Sequence, residues 1–241
     1  MRTHVVTYAN KSRGMFETLV NNQFEVPVTV LGMGEKWEGF PTKVKAYCDY
    51  THSLPPRDIV VIVDGFDTQI NGTLEKAVRR FRDIDKKIVV SVHPGLIPGA
   101  FVRKIFGTCE ANETANSGLM MGYVENMRTL LDDMRNKKCK DDQRVLNTLC
   151  EKHEVFVDNE QLIFENTTPR DRTIKTDAIF IGFPGETSFH RWIRALHEYS
   201  QFFIKEIFLL FLLLFMVFRK VKYLTMGSLL LLLSYVDLSC V

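Results

Sequence analysis

Two carboxylates, Asp64 and Asp67, stand three residues apart in Val63-Asp64-Gly65-Phe66-Asp67-Thr68, directly after the run Ile59-Val-Val-Ile-Val63. Five β-branched residues in succession read as a strand buried on both faces, so the acids fall where that strand ends. In an open α/β sheet, ligands gather outside the carboxyl ends of the strands, which puts the pair at the natural site. Hard carboxylate oxygens suit a divalent cation that bridges a nucleotide diphosphate and offsets the charge of a leaving group. Acids beside a turn also serve as solvated or capping groups, and D-x-x-D alone does not choose between the two readings. A second pair, Asp141 and Asp142, opens a helical stretch running to Lys152. There the alternatives are an N-terminal cap favoured by the helix dipole and a catalytic role. Asn116-Ser117-Gly118 reads as a polar turn before a strand, with a glycine that lets backbone approach a ligand closely. Trp37 reads as a loop or core anchor.

The elements that must position these groups alternate between strand and helix. His4–Thr7 is apolar and β-branched, Asn10–Gly14 breaks the run, and Met15–Val20 has helical apolar spacing. Val26–Leu31 reads as a second strand and Lys43–His52 as a helix stopped by Pro55-Pro56. Thr73 is a candidate N-cap for a helix to about Asp83, and Ile88–Val92 is another buried-type strand. Pro94–Gly118 is expected to be irregular, Leu119–Gly122 a short strand, and Val124–Asn136 and Asp141–Lys152 helices. Val155–Val157, Leu162–Phe164 and Ala178–Ile181 close the pattern as short strands. This alternation predicts an α/β domain with a mostly parallel sheet between helices.

The sequence has 241 residues, 46% of them hydrophobic and 25% charged, an ordinary globular composition. The formal net charge is +2, and Lys205, Arg219, Lys220 and Lys222 against Glu206 and Asp237 place that excess after residue 201. A near-neutral 1–201 portion lacks the basic face that phosphate backbones require, so nucleic acid is not an expected partner. Cys48, Cys109, Cys139, Cys150 and Cys240 form an odd, widely spaced set that reads as reduced, the alternative being a Cys139–Cys150 disulfide. The N-terminal segment carries no long apolar stretch of the secretory type. N-x-[ST] sequons begin at Asn10, Asn71, Asn112 and Asn166.

Residues 207–218 and 224–236 are apolar runs joined by Arg219-Lys-Val-Lys222. Each run alone falls short of the length, roughly 20 residues, that a spanning helix wants. The expected organisation is a catalytic domain over 1–200 and a hydrophobic helical, membrane-associated tail over 201–241. With the basic link held on the cytosolic side, a cytosol-facing domain is preferred to one in the ER or Golgi lumen.

Leu31-Gly-Met-Gly34, Trp37-Glu38-Gly39, Lys43, the VDGFD turn, Asn116-Ser-Gly118 with Gly122, and Asp141-Asp-Gln143 resemble, in order and spacing, the glycosyltransferase domain of the procollagen lysyl hydroxylases. His4-Val-Val-Thr-Tyr-Ala9 and Ile163-Phe-Glu-Asn166 look like that family's opening and late strands, and the resemblance covers about residues 4–190. It implies a GT-A-type, Rossmann-like fold that takes UDP-glucose or UDP-galactose with Mn2+ (or Mg2+) and transfers the hexose to a hydroxyl acceptor. That acceptor is procollagen hydroxylysine by family, with a glycan, lipid or other protein equally compatible. The resemblance further implies that Asp64 and Asp67 hold the metal and that Thr7 and Tyr8 lie near the uridine. By the same resemblance Lys43 and Asp64 lie near the nucleotide, Asn116 and Gly118 hold a sugar hydroxyl, and Asp141 and Asp142 act on the sugar and acceptor side. One departure stands out: where the family carries a late metal-binding histidine, this chain reads Ile181-Gly182-Phe183-Pro184-Gly185, with His190 further on. The implied alternative is a catalytically impaired, membrane-bound member acting as a binding or partner subunit. If Gly182 occupies the histidine's place, Gly182→His is expected to tighten Mn2+ binding.

Overall fold

The strand-forming runs assemble into a six-stranded sheet in the order β2-β1-β3-β6-β5-β7. Its strands are β1 (Thr3–Tyr8), β2 (Val28–Leu31), β3 (Ile59–Asp64), β5 (Ile88–Val92), β6 (Ala115–Tyr123) and β7 (Val155–Asp158). The protein is seen here in a computed structural model that describes residues 1–94, 99–109, 113–167, 176–184 and 199–217. These fall into two compact units, Met1–Gly185 and Glu186–Val241. Within the first, β1 runs parallel to β2 and β3, and β5 parallel to β7, while β6 is antiparallel to both its neighbours. A smaller sheet, β4 (Thr68–Ile70), β9 (Phe180–Gly182) and β8 (Phe164–Asn166), lies in the order β4-β9-β8.

Alternation along β3 shows why the main sheet is a double-sided core. Val60 and Ile62 point to one face, where they join Val44 and Tyr47 of α2 (Phe40–His52), Met127 and Leu130 of α5 (Val124–Arg135), and Val145 and Leu146 of α6 (Asp142–Leu149). Ile59, Val61 and Val63 point to the other, against Leu19 of α1 (Phe16–Val20), Ala77 and Phe81 of α3 (Leu74–Ile84), and Phe164 and Phe180 of the small sheet. Thr73 caps α3 as its position suggested. Its hydroxyl accepts from the Lys76 N–H at 3.3 Å. The expected α/β architecture with a mostly parallel sheet between helices is the one observed.

Three local expectations fail. The stretch taken as irregular contains α4 (Gly99–Phe106), and β6 begins at Ala115, four residues before its apolar run. Asn116-Ser-Gly118 is therefore not a turn before a strand but part of one. It occupies a bulge in β6, where the register to β5 jumps from Val90–Met120 to Ser91–Asn116. The cysteines are not all reduced: Cys109 and Cys150 form a disulfide across 41 residues of sequence, and Cys150 does not pair with Cys139. A disulfide belongs to oxidising surroundings, which the cytosol-facing expectation did not anticipate.

The second unit contains a 3-10 turn, Gln201–Phe203, and α7 (Ile204–Val217). Helix α7 holds 14 residues, and among the described residues no helix is long and apolar enough to cross a membrane. That finding overturns the placement of the chain as membrane-associated through its tail. The apolar run 224–236 and the basic link before it lie outside the described residues.

The disulfide closes a loop that holds β6, α5 and α6. Replacing Cys109 and Cys150 together by serine is expected to lower stability by about 2–4 kcal/mol. Urea unfolding of the oxidised protein beside the double variant reads this directly, and coincident midpoints would show that the crosslink contributes nothing.

Candidate active site

Strand β3 delivers Asp64 to the carboxyl edge of the sheet, in register with Tyr8 at the end of β1. Its carboxylate does not stand alone. Lys43, near the start of α2, places its Nζ 2.9 Å from Asp64 Oδ1 and 2.9 Å from Oδ2 of Asp142, the first residue of α6. The Lys43 and Asp142 side chains are 8% and 6% exposed, and that of Asp64 is 37% exposed, so the cluster opens to solvent through Asp64. Burial works against the Lys43 charge, but Asp142 first and Asp64 second overcome it and hold the ammonium well above the ordinary lysine value. The other face of the Asp64 carboxylate lies over the β6 bulge: a Cβ added at Gly118 would come 2.7 Å from Asp64 Oδ2 and 2.9 Å from Asn116 Oδ1. Glycine at 118 is thus a steric requirement of the cradle in which Asp64 sits.

The two acids of the second pair have separate tasks. Asp141 is the N-cap of α6, its Oδ1 accepting from the Arg144 N–H at 2.7 Å. This is the capping alternative left open for it. Asp142 turns inward to Lys43. Beside it, Gln143 Oε1 accepts from Asn116 Nδ2 at 3.2 Å, while Asn116 Oδ1 accepts from the Gly118 N–H at 2.9 Å. Gln143 Nε2 and Thr68 Oγ1 are the buried side-chain polar atoms among the described residues that lack a hydrogen-bond partner. An orphan buried donor is costly, and Gln143 holds one in the amide pair with Asn116.

The first strand answers its expectations unevenly. Thr7 is fully buried and its hydroxyl donates to the Val63 carbonyl at 2.7 Å, so it fastens β1 to β3 and offers no surface to a uridine. Tyr8 is itself buried at the end of β1, its hydroxyl donating to Glu35 Oε2 at 3.3 Å and its ring 5.7 Å from that of Trp37, so it too offers little surface to a uridine. Trp37 is half-exposed and meets Phe40 edge-on at 5.8 Å. Tyr47, one turn beyond Lys43, was not legible as a site residue. Its buried hydroxyl accepts from the Tyr8 N–H at 3.0 Å, and burial pushes its ionisation upward, so it remains a neutral spacer under the lysine. His93 follows β5, packs on Phe106 with ring centroids 5.4 Å apart, and is kept neutral by burial.

Asp67 lies one residue before β4, and its carbonyl accepts from the Phe183 N–H at 2.7 Å, beside the pairing of Thr68 with Gly182. The late strand therefore reaches the Asp64–Asp67 turn. It brings no histidine: a Cβ on Gly182 would stand 2.2 Å from Asn166 Oδ1. His190 lies outside the described residues. A carboxylate oxygen suits a hard divalent cation, and Asp64 offers one at the partly exposed sheet edge.

Lys43→Met leaves Asp142 buried without its counter-ion and is expected to cost about 3–5 kcal/mol. Because the folded-state value of Lys43 lies above its unfolded one, its contribution is complete below about pH 10 and is lost only at higher pH. Urea unfolding of both proteins at about pH 6 and pH 9 should give the same loss, and a loss that vanished at the lower value would refute the assignment. Gly182→His is expected to destabilise by about 1–3 kcal/mol and not to tighten Mn2+ binding, because Asn166 fills the space its Cβ needs. Calorimetry that found a gain in Mn2+ affinity would show that Asn166 moves aside.

Residues 2–178 match the family described as the PLOD GT domain. The chain is 25% identical over 160 residues to the multifunctional procollagen lysine hydroxylase and glycosyltransferase of Caenorhabditis elegans, a match covering 60% of this chain and 22% of that protein. It is 26% identical over 121 residues to the procollagen-lysine,2-oxoglutarate 5-dioxygenase of Drosophila melanogaster, covering 46% and 17%. The chain thus matches only about a fifth of the length of these curated relatives. Among solved structures it is similar to galactosyltransferase LgtC in complex with donor and acceptor sugar analogs, at 15% identity and a TM-score of 0.46, over 77% of this chain and 88% of that one. That likeness is too distant to build on. The family match extends over most of the sequence, and the chain belongs to the PLOD GT domain family of glycosyltransferase domains.

Proposed function

We propose that this chain is a GT-A-type hexosyltransferase that moves glucose or galactose from a UDP-sugar to a hydroxyl acceptor, with Mn2+ or Mg2+ as cofactor. The observation that carries the reading is the ionic cluster Asp64–Lys43–Asp142, set at the carboxyl edge of the sheet in a chain of this family. A divalent cation held by Asp64 and Asp67 supplies charge neutralisation for the departing diphosphate. Lys43, charged and buried, adds a fixed positive charge beside the same leaving group and holds Asp64 and Asp142 in place. Asn116, bonded to Gln143 and lying beside Asp64 at the bulge, is the polar group assigned to a sugar hydroxyl, with Gly118 allowing close approach. Trp37 and Phe40, exposed beside the buried Tyr8, give a base a face to lie on.

In the transfer, the acceptor oxygen bonds to the anomeric carbon as the bond from that carbon to the diphosphate breaks. UDP leaves with the electron pair, and the hydroxyl proton passes to a carboxylate base. Of the second pair, Asp142 is the one that faces the Lys43 cluster, since Asp141 caps α6. Hydroxylysine of procollagen is the acceptor suggested by the names of the relatives. A glycan or lipid hydroxyl meets the same chemistry.

One observation favours a second reading, a member of the fold that binds without catalysing. The late strand presents Gly182 against Asn166 where the family carries its histidine, leaving the cation fewer protein ligands. UDP release from UDP-glucose and UDP-galactose, measured with and without Mn2+, separates the readings: metal-stimulated release supports the enzyme and its absence the binding protein. Within the enzyme reading, Asp67→Ala should lower metal-stimulated turnover by about a hundredfold or more. Asp142→Asn should lower turnover more than UDP affinity. A folded Asp67→Ala protein with unchanged turnover would defeat the metal assignment, and an Asp142→Asn protein that lost only UDP affinity would defeat the acceptor-side role.

A further inference from the structure

Helix α2 has two working faces. Lys43 and Tyr47, four residues apart, look toward the sheet edge; Cys48 and His52, also four residues apart, share a stripe that faces α5. Opposite that stripe stands Asp132 of α5. Cys48 Sγ is 2.9 Å from Asp132 Oδ1, and His52 Nε2 is 3.0 Å from Asp132 Oδ2. One ligand atom from each of the three residues lies within 4.8 Å of the others, the one such trio of histidine, cysteine or acidic side chains among the described residues.

We propose that Cys48, His52 and Asp132 form a binding site for a zinc-class divalent transition-metal ion, distinct from the carboxylate site at Asp64. A thiolate, an imidazole nitrogen and a carboxylate oxygen are zinc's ordinary ligands, at about 2.3, 2.0 and 2.1 Å, and they leave the fourth tetrahedral position to water. Tetrahedral ligands at those lengths stand about 3.4–3.6 Å apart, and one ligand atom of each residue already lies within 4.8 Å of the other two, so side-chain adjustments of about an ångström admit the ion. Charge balances as well: a thiolate and a carboxylate beside a neutral imidazole cancel a divalent ion. In the ion-free protein the thiol donates to Asp132, and binding replaces that proton, which passes to solvent.

The surroundings allow entry. His52 is 52% exposed on its side chain and stands at the last residue of α2, so the ion arrives from the solvent side. Arg135 contacts Asp132 Oδ1 at 3.3 Å but also reaches Asp49 Oδ1 at 3.6 Å, so it can give up Asp132 without losing an acidic partner. A nucleophilic cysteine does not explain the trio, because Cys48 is fully buried. The donor chemistry separates the two sites: sulfur and imidazole select zinc-class ions, whereas the oxygen-only pair Asp64 and Asp67 suits Mn2+ or Mg2+. The site stands whether or not the proposed transfer reaction is correct.

Cobalt(II) tests it on the full-length oxidised protein, since thiolate bound to cobalt absorbs in the near ultraviolet and carboxylate-bound cobalt does not. The expected result is one equivalent of cobalt with a thiolate band, displaced by Zn2+ and unaffected by a large excess of Mg2+. Cys48→Ser should abolish the band, His52→Gln should weaken binding about tenfold or more, and Asp64→Asn should leave it unchanged. His52→Gln alters an exposed helix end and keeps the test open if Cys48→Ser fails to fold. Absence of a thiolate band in the folded protein overturns the proposal, as does a band that survives Cys48→Ser or an affinity unmoved by His52→Gln.

Discussion

A single buried ammonium organises the front of this domain. Lys43 is the point where three elements meet: the end of β3 through Asp64, the start of α6 through Asp142, and its own helix α2. Burying a lysine without counter-ions would cost several kcal/mol, and two carboxylates at 2.9 Å are what make the position tenable. The same arrangement fixes the acids. Asp142 cannot turn to solvent without stranding Lys43, and Asp64 is held with one oxygen on the lysine and the other over the β6 bulge. Two carboxylates against one ammonium leave the cluster formally negative, and the partly exposed member is the one at the sheet edge. Solvent therefore meets the cluster through Asp64.

The bulge in β6 is the second constraint, and it follows from the first. A regular strand would lead from Ala115 to Leu119 with side chains alternating across the sheet, and one of them would occupy the volume of the Asp64 carboxylate. Breaking the register between Ser91 and Val90 lets Asn116 turn back on its own strand and bond the Gly118 N–H, so no side chain stands under Asp64. Asn147 of α6 completes the repair: its Oδ1 accepts from the Ala115 N–H at 2.8 Å and its Nδ2 donates to the Ala115 carbonyl at 3.0 Å. Those two bonds satisfy backbone groups that the irregular strand leaves unpaired. The amide seam Asn116–Gln143 is thus a by-product of strand irregularity that ties β6 to α6.

Much of this was legible in the sequence because the signals were local. The β-branched runs at Ile59 and Ile88 could only be strands buried on both faces, and the acids after the first had to fall at its carboxyl end. The Thr73 cap lies next to the helix it starts. What escaped depends on contacts between distant residues. Nothing in the residues of β6 records that it runs antiparallel, and its polar opening disguised the first four residues as a turn. The three-residue strand β4 is too short to carry a period, whereas β8 and β9 were expected as short strands at Leu162–Phe164 and Ala178–Ile181 and lie slightly further along the chain. An odd cysteine count hid a disulfide, because counting says nothing of which thiols the fold brings together. The lysine bridge was invisible for the same reason: Lys43, Asp64 and Asp142 were each singled out, but their pairing joins residues far apart in the chain, and no spacing rule reaches that far.

The late strand shows how such a distant contact changes the meaning of a substitution. Read along the chain, Gly182 is a ligand lost by one change and recoverable by one change. In the fold, Gly182 is small because Asn166 on the neighbouring strand needs the space. Asn166 Nδ2 donates to Ser91 Oγ at 2.9 Å and to the Val92 carbonyl at 2.8 Å, which aims its Oδ1 at the Gly182 backbone. The backbone at Gly182 does not lie in the left-handed region, so the demand for glycine comes from packing and not from φ. Those bonds serve β5 at the register break opposite Asn116, so Asn166 is tied to the bulge that cradles Asp64. A side chain at 182 would therefore press on the support of the very carboxylate it was meant to assist. The glycine at 182 is thus a property of a packed pair, Asn166 and Gly182, and any side chain introduced on this strand at that position requires both to change.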